Sequence, residues 1–440
     1  MVNIRIPGRT NSVAMLLACL VCATVARAEL QIDITQGVTD PIPIAIVPLV
    51  KAAPGEGGFD YAAVGQRDLD GSARFRSMDR RSQRVRPGRA SEVAAADWRA
   101  DGQDYVLVGR VSAADAGRSS IECELVNALT GQLLGSTRVI ASPANPRAAA
   151  HQLSDFVYEK IIGTRGAFAT RIAYVAVDGM PPAQHFQLIV ADADGENTQV
   201  VLDSRQPIMS PAWSADGQWL AYVSFENRAA AIVVQQLRTG ERRQVSARAG
   251  VNGAPAWSPD GRRLALTLSG SGGNLDIYVL DLATQALSRI TDDPAIDTEP
   301  AWSADGADLY FTSDRSGGPQ IYRTDAATHR NVRRITFESS YNARPRPSPD
   351  GRSLALVSRE GSDYRIAVQD LASDSMRVLT RGSLDESPSF APNGMSLIYA
   401  GRSAGRATLA TVAVDGQVSQ RLKSDRGDVR EPVWGPFAGP

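Results

Sequence analysis

Six copies of one phrase, spaced by little more than forty residues, constrain the fold of this chain more than any other feature. Pro211-Ala-Trp-Ser-Ala-Asp-Gly217 returns as Pro255-Ala-Trp-Ser-Pro-Asp-Gly261 and Pro300-Ala-Trp-Ser-Ala-Asp-Gly306. It continues as Pro345-Arg-Pro-Ser-Pro-Asp-Gly351 and Pro388-Ser-Phe-Ala-Pro-Asn-Gly394, and a truncated Pro432-Val-Trp-Gly-Pro-Phe437 closes the series. The intervals between the prolines are 44, 45, 45, 43 and 44 residues. A period of about 40–45 residues is that of propeller blades, each a four-stranded sheet that buries its faces only by stacking on neighbours.

Within one unit the residues fit that reading. The Trp belongs to a first strand, and Asp-Gly or Asn-Gly makes a tight turn. Alternating second strands follow, such as Leu220-Ala-Tyr-Val-Ser and Leu309-Tyr-Phe-Thr-Ser. Third strands such as Asp276-Ile-Tyr-Val-Leu-Asp and fourth strands such as Leu287-Ser-Arg-Ile-Thr complete the unit. Five units run from 211 to about 431. Upstream, Arg171-Ile-Ala-Tyr-Val and Gln187-Leu-Ile-Val-Ala-Asp match second and third strands with no Trp phrase before them. The orphan phrase at 432–437 supplies the missing strand. The expectation is six blades over 170–440, the first closed by the C-terminal strand, which hides the sheet edges.

The residues before this region have another texture. Residues 1–28 read as a cleaved export signal: Arg5 and Arg9 precede an uncharged apolar run from Val13 to Val25, and Ala26-Arg27-Ala28 offers small residues at the cleavage site. Lipoprotein processing at Cys19 is the alternative, but leaves only about six apolar residues before the cysteine. Cleavage before Glu29 removes three Arg and no acid, taking the formal charge from −1 to −4. It also leaves Cys123 as the one thiol of an exported chain, so no intrachain disulfide can form. Cys123 alternates with Ile121 and Leu125, which places it on the buried face of a strand.

Residues 29–165 read as a small α/β domain. Ile44-Ala-Ile-Val-Pro-Leu-Val and Tyr105-Val-Leu-Val-Gly-Arg-Val are strands, and Ser91 is a candidate cap for a short helix ending near Ala100. Pro146 opens an amphipathic helix with Leu153, Phe156, Val157 and Ile161 on one face, stopped after Ile162 by Gly163. Residues 67–89 hold eight Arg against three Asp, a run that reads either as a solvated surface or as a contact for an acidic partner or phospholipid head groups.

Catalytic and metal chemistry find little purchase. Near-zero net charge removes the electrostatic footprint of a nucleic-acid binder. Gly401-Arg-Ser-Ala-Gly405 matches the nucleophile-elbow pattern, yet it lies between two blade strands, and no His follows His329 to act as base. His151, His185 and His329 lack metal-ligand spacing. Asp68-Leu-Asp-Gly71, Asp192-Ala-Asp-Gly195 and Asp292-Asp293 read as turns, short of the calcium-loop pattern. Neither a catalytic residue, a cofactor nor a metal is expected.

What remains is a surface. The residues before each motif proline enter the innermost strand and ring one mouth of the channel: Met209 and Ser210; Asn252 to Ala254; Thr298 and Glu299; Asn342 to Arg344; Asp385 and Glu386; Arg430 and Glu431. They form either a docking face or turns that satisfy channel waters.

These repeats, together with Ala150-His-Gln-Leu-Ser-Asp155, Gly163-Thr-Arg-Gly-Ala-Phe-Ala-Thr-Arg-Ile-Ala-Tyr-Val175, Asp68-Leu-Asp-Gly-Ser-Ala-Arg-Phe75 and Asp97-Trp-Arg-Ala-Asp-Gly-Gln-Asp-Tyr105, resemble the TolB family of the Tol–Pal system over nearly the whole chain after the leader. The resemblance implies a non-enzymatic, monomeric periplasmic protein that links TolA to the lipoprotein Pal, and through Pal to the outer membrane. It would support outer-membrane invagination during cell division and outer-membrane integrity. Pal would dock on the channel mouth, at Met209, Asn252, Ala254, Thr298, Glu299, Asn342, Arg344, Asp385, Glu386, Arg430 and Glu431. TolA would engage Glu29, Leu30, Gln31, Ile32, Asp33 and Ile34 in a flexible segment, 29–40, whose alternation suits strand addition. Whether that segment is free or self-docked stays open, and the family implies exchange between the two states biased by Pal. Two departures stand out: Arg346-Pro347 replaces Ala-Trp, and Val251 stands where the family can present a polar residue to Pal. Two other classes compete. A propeller-gated peptidase needs a hydrolase domain, and a small-ligand or cation channel would use Glu299, Asp385, Glu386 and Glu431.

Overall fold

A computed structural model describes residues 30–36, 40–52, 58–270, 272–403, 405–424 and 427–438. The leader assigned to residues 1–28, and Glu29, lie outside the described residues. Six antiparallel sheets follow one another from residue 171. Blade 1 joins strands 171–178, 185–192 and 199–204 to the C-terminal strand 428–434, which pairs with 171–178 (Ile172 opposite Trp434). Blades 2 to 5 are four-stranded and start at 208, 252, 297 and 342. Blade 6 holds strands 386–390, 396–403, 406–413 and 419–424. The six-bladed propeller closed by the C-terminal strand is therefore present.

The repeated phrase has a mechanical role at each turn. Ser303 Oγ donates to Asp305 at 2.6 Å and accepts from the Asp308 amide at 2.9 Å, while Gly306 takes φ +72°. That geometry is built from local side-chain bonds and a left-handed position that glycine adopts without strain. Two of the motif tryptophans bond the neighbouring blade: Trp213 Nε1 donates to Val433 O at 3.2 Å and Trp302 Nε1 to Ala256 O at 3.1 Å. Blade 5 has Pro347 at that position and no such donor. Gln369 Nε2 still bonds Ile335 O of blade 4 at 2.9 Å, as the equivalent Gln235 of blade 2 bonds Val201 O of blade 1 at 3.1 Å. Between blades the packing is apolar, with Tyr174, Tyr222 and Phe311 fully buried.

The N-terminal sheet runs in the order 75–77, 42–46, 105–113, 119–127, 133–141, with Val50–Lys51 beside the third strand. Its first two pairings are parallel and the last two antiparallel. Strand 42–46 is buried on both faces, which explains its unbroken apolar sequence. Ile44 and Ile46 meet α1 (Tyr61–Gly71), and the helix 146–162 packs on the same side. Ala45 and Val47 meet Trp98 of the short helix α2 (Ala95–Ala100) on the other side. The longest helix, α3 (Pro146–Ile162), is capped by Asn145, whose side chain accepts from the Ala148 amide, and ends at Gly163 with φ +86°.

Two local expectations are corrected. Ser91 caps no helix: it sits in a 3-10 turn over 90–92, and α2 starts after Ala94 without a side-chain cap, held instead by burial of Trp98. Asp68-Leu-Asp-Gly71 is no loop turn. It is the last turn of α1, whose start is fixed by Asp60 accepting from the Ala63 amide at 3.0 Å.

Candidate docking face and the interdomain lock

Each inner strand enters its blade through a bulge, seen as a register shift just before the motif proline in all six blades. The residue preceding each proline is left-handed: Ser210, Ala254, Glu299, Arg344, Ser387 and Glu431 have φ between 45° and 56°. A non-glycine residue in this region is costly, and six equivalent copies mark a conformation imposed by the surrounding sheet. The bulge turns these six residues toward a channel of about 630 Å³, which all of them line.

This parity sorts the expected ring into three tiers. The residues three before the proline, Asn252, Asn342 and Asp385 among them, are buried. They close the incoming loops: Asn252 accepts from Ser246 Oγ at 2.6 Å and the Arg248 amide at 3.0 Å, and Asp385 accepts from the Gly382 amide at 3.1 Å. Met209, Glu386 and Arg430 occupy the rim, Arg430 paired with Asp428 at 2.7 Å, while Thr298 lines the channel beside Glu299. Ala254, Glu299, Arg344 and Glu431 face the channel. Arg344 Nε pairs with Glu299 Oε1 at 2.9 Å, and Thr312 Oγ1 donates to Glu299 Oε2 at 2.9 Å. Glu431 accepts from the Ser210 amide. Burial pushes its carboxyl up, which that bond and Arg344 only partly offset.

The sheet topology puts the outer-to-inner connections and the hairpins between second and third strands at this same end. They carry exposed apolar side chains that the sequence reading passed over, Val251 apart: Met180 is 80% exposed and Phe337 68%, with Ile296 and Leu384 also exposed. Alternation within strands gives no sign of them because they sit in connections. An apolar rim around a polar centre is a docking chemistry. The four acids considered for a cation do not converge. Asp385 is buried below, Glu299 is held by Arg344, and among the described residues the one cluster of three ligand-type side chains is elsewhere.

That cluster joins the domains at the opposite, Asp-Gly end. Asn393 Nδ2 donates to Arg165 O at 3.0 Å, Arg74 pairs with Asp415 at 2.5 Å, and Arg165 covers the Phe437 ring at 4.1 Å. At its centre His151 Nδ1 meets Asp68 Oδ2 at 2.8 Å, and Nε2 faces Asp192 Oδ2 of blade 1 at 3.6 Å. Ser154 Oγ also donates to Asp68, and Arg147 binds Asp194. Burial alone would pull the imidazole down. The carboxylates of Asp192 and Asp68, with Asp194 behind them, outweigh it and push His151 up to about 10. The imidazolium and the Arg147 guanidinium already supply the positive charge this nest needs, so it reads as an ionic lock rather than a metal centre. The arginine run divides accordingly: Arg67, Arg74 and Arg80 pair with Glu196, Asp415 and Asp60, while Arg76, Arg81, Arg84, Arg86 and Arg89 are exposed.

Residues 30–36 form a fifth strand on the outer edge of blade 6, antiparallel to 419–424, with Leu30 opposite Ser424 and Ile32 opposite Leu422. The candidate TolA-binding residues from Leu30 to Ile34 thus lie on the outer sheet edge of blade 6, with Leu30 beside the strand end that leads to the mouth-side connection. Gly401–Ser403 ends a blade strand and opens no helix. No helix among the described residues is long and apolar enough to cross a membrane.

Comparison with known proteins agrees with this architecture. Residues 30–134 match the TolB amino-terminal domain and residues 158–438 the TolB beta propeller domain. The chain is 50% identical over 417 residues to the Tol-Pal system protein TolB of Methylococcus capsulatus, covering 95% of this chain and 96% of that one. It is 48% identical over 426 residues to the same-named protein of Thioalkalivibrio sulfidiphilus, covering 96% and 97%. The crystal structure of TolB from Acinetobacter baumannii superposes with a TM-score of 0.84 at 40% identity, covering 93% of this chain and all of that one. The chain belongs to the TolB family of the Tol-Pal system.

Proposed function

We propose that this protein is a non-enzymatic periplasmic scaffold that docks Pal on the channel mouth and presents residues 29–34 to TolA. It thereby supports outer-membrane invagination at division and outer-membrane integrity. The observation that carries the reading is the mouth itself. Six left-handed residues aim into the channel, an exposed apolar rim surrounds them, and the contacts of the globular N-terminal domain lie at the opposite end, on blades 1 and 6. Such a face suits one protein partner seated over the axis. The docked strand 30–36 supports the second contact, because a strand held by one edge can be transferred to another.

Calorimetric titration with the soluble domain of the cognate Pal tests the first contact. The expected result is saturable one-to-one binding, weakened at least thirtyfold by Met209→Glu combined with Ile296→Glu. Both side chains are exposed, so the folded state tolerates the change. No binding to the native chain well above micromolar concentration would sink the assignment, and the small-ligand reading would replace it. Binding untouched by the double variant would move the Pal site off the mouth.

A further inference from the structure

The channel holds one charged group that the ring does not neutralise. Arg346 follows the motif proline of blade 5, where blades 2, 3 and 4 carry Ala212, Ala256 and Ala301. All four residues line the channel, so blade 5 sends a long cation into space that the others leave open. Its guanidinium has five N–H donors, and the structure gives it one bond, from Nη1 to its neighbour's carbonyl, Pro345 O, at 2.8 Å. No carboxylate lies within ion-pair distance of it among the described residues. Glu299 is taken by Arg344 and Thr312, and Glu431 by the Ser210 amide.

We propose that the core of the channel is an oxyanion site, with the Arg346 guanidinium as the group that holds a carboxylate or a phosphate. Its planar fork matches either anion through two parallel hydrogen bonds. The walls favour such a bond: Trp213, Trp257, Trp302 and Trp434 line the same channel and reduce the water available to screen it. Loss of water around the guanidinium already weakens its hold on its proton, as does Arg344 beside it, with Glu299 and Glu431 offsetting this only in part. An anion removes that imbalance. Arg344 cannot serve in its place, because Glu299 and Ser387 already bind it. The anion can be free in solution or be an acidic side chain of the protein docked at the mouth. Only the second source rests on the docking reading above.

Two titrations separate these sources. In the first, inorganic phosphate is added to the leaderless chain at constant ionic strength while the channel tryptophans are followed by fluorescence. A free-anion site gives saturation in the low-millimolar range or tighter, at least tenfold weaker in Arg346→Ala and intermediate in Arg346→Lys, which keeps charge without the fork. Arg346→Ala restores the residue of three other blades, so the fold is kept. In the second, the Pal domain replaces phosphate. A tenfold loss with Arg346→Ala, without phosphate saturation, assigns the site to a partner carboxylate. If Arg346→Ala changes neither titration, the proposal is overturned even where Pal binds the native chain tightly. If Pal fails to bind the native chain, the docking reading falls and the phosphate titration alone decides: saturation lost in Arg346→Ala upholds the site, and its absence overturns it.

Discussion

Asp68→Ala lowers the unfolding free energy by about 3–5 kcal/mol at pH 7, the range expected when one member of a buried ion pair is removed. Asp68 and His151 are both almost fully buried, so the charge left behind by either change stays largely out of bulk water. The variant leaves the imidazolium facing Asp192 at 3.6 Å, too far for a hydrogen bond, and strips Ser154 Oγ of its acceptor. His151→Ala costs a similar amount by stranding the Asp68 carboxylate. The two losses are not additive. The double variant is expected to cost at least 2 kcal/mol less than their sum, since each single change removes the same contact. Urea unfolding of the three variants, followed by tryptophan fluorescence, measures this. A change below about 1 kcal/mol for Asp68→Ala would show that the lock does not hold the domains.

The pH dependence has a definite sign. His151 is raised from an ordinary value of 6.5 to about 10 in the folded chain. A group raised on folding contributes stability that is fully present below its unfolded pKa and is lost as pH climbs to its folded one. The native chain therefore loses on the order of 4 kcal/mol between pH 6.5 and 10. Asp155, pushed by burial up to about 6 although it accepts the Phe168 and Ala169 amides, titrates below this window and does not mask it. His151→Ala flattens the slope, and an unchanged slope in that variant would locate the titrating group elsewhere.

The propeller was legible in the sequence because its information is periodic and local. A proline at a fixed period, in most units with an aromatic two residues on and an Asp-Gly or Asn-Gly turn, marks each inner strand, and counting orphan pieces closes the ring. Helix α1 was not legible. It is eleven residues long, contains Gly65, and ends in a phrase that reads as a turn; the one available signal was Asp60 placed three residues before Ala63. The mouth was legible in position but not in direction. Alternation assigns faces only along an unbroken strand, and a bulge at Ser210, Ala254 and their equivalents shifts the parity. Asn252, Asn342 and Asp385 thus go inward, where polar residues in a mouth were expected to point out. The lock could not be read at all: Asp68, His151 and Asp192 are brought together by domain packing, and no spacing rule connects them.

Crosslinking residues 33 and 421 is expected to weaken the proposed TolA binding by at least a hundredfold, reversibly. Asp33 and Arg421 are direct partners in the antiparallel register of the docked strand. Opposed residues in such a pair have Cβ atoms about 4.5–5.5 Å apart, close enough for a disulfide after small adjustment. Asp33→Cys with Arg421→Cys, in the leaderless chain, fixes residues 30–36 on blade 6. Cys123 does not interfere: it is fully buried, and burial together with Glu124 pushes its thiol up to about 12, which keeps it from thiolate exchange. If TolA takes the strand by adding it to its own sheet, the backbone donors of 30–34 must leave 419–424 first, so the oxidised form cannot bind. Reduction frees the strand and returns affinity to within about threefold of native. By linkage, any partner at the mouth that favours the free strand must also bind the oxidised form less tightly, by at most the factor by which it shifts the strand equilibrium. Deleting residues 29–36 supplies the independent check. It leaves blade 6 with four strands, as in the other five blades, so the propeller stays folded while TolA binding is lost. Undiminished TolA binding by the deletion variant would place its site elsewhere on the chain. Binding by the oxidised form, with the crosslink verified by mass spectrometry, would mean that TolA recognises the strand where it lies.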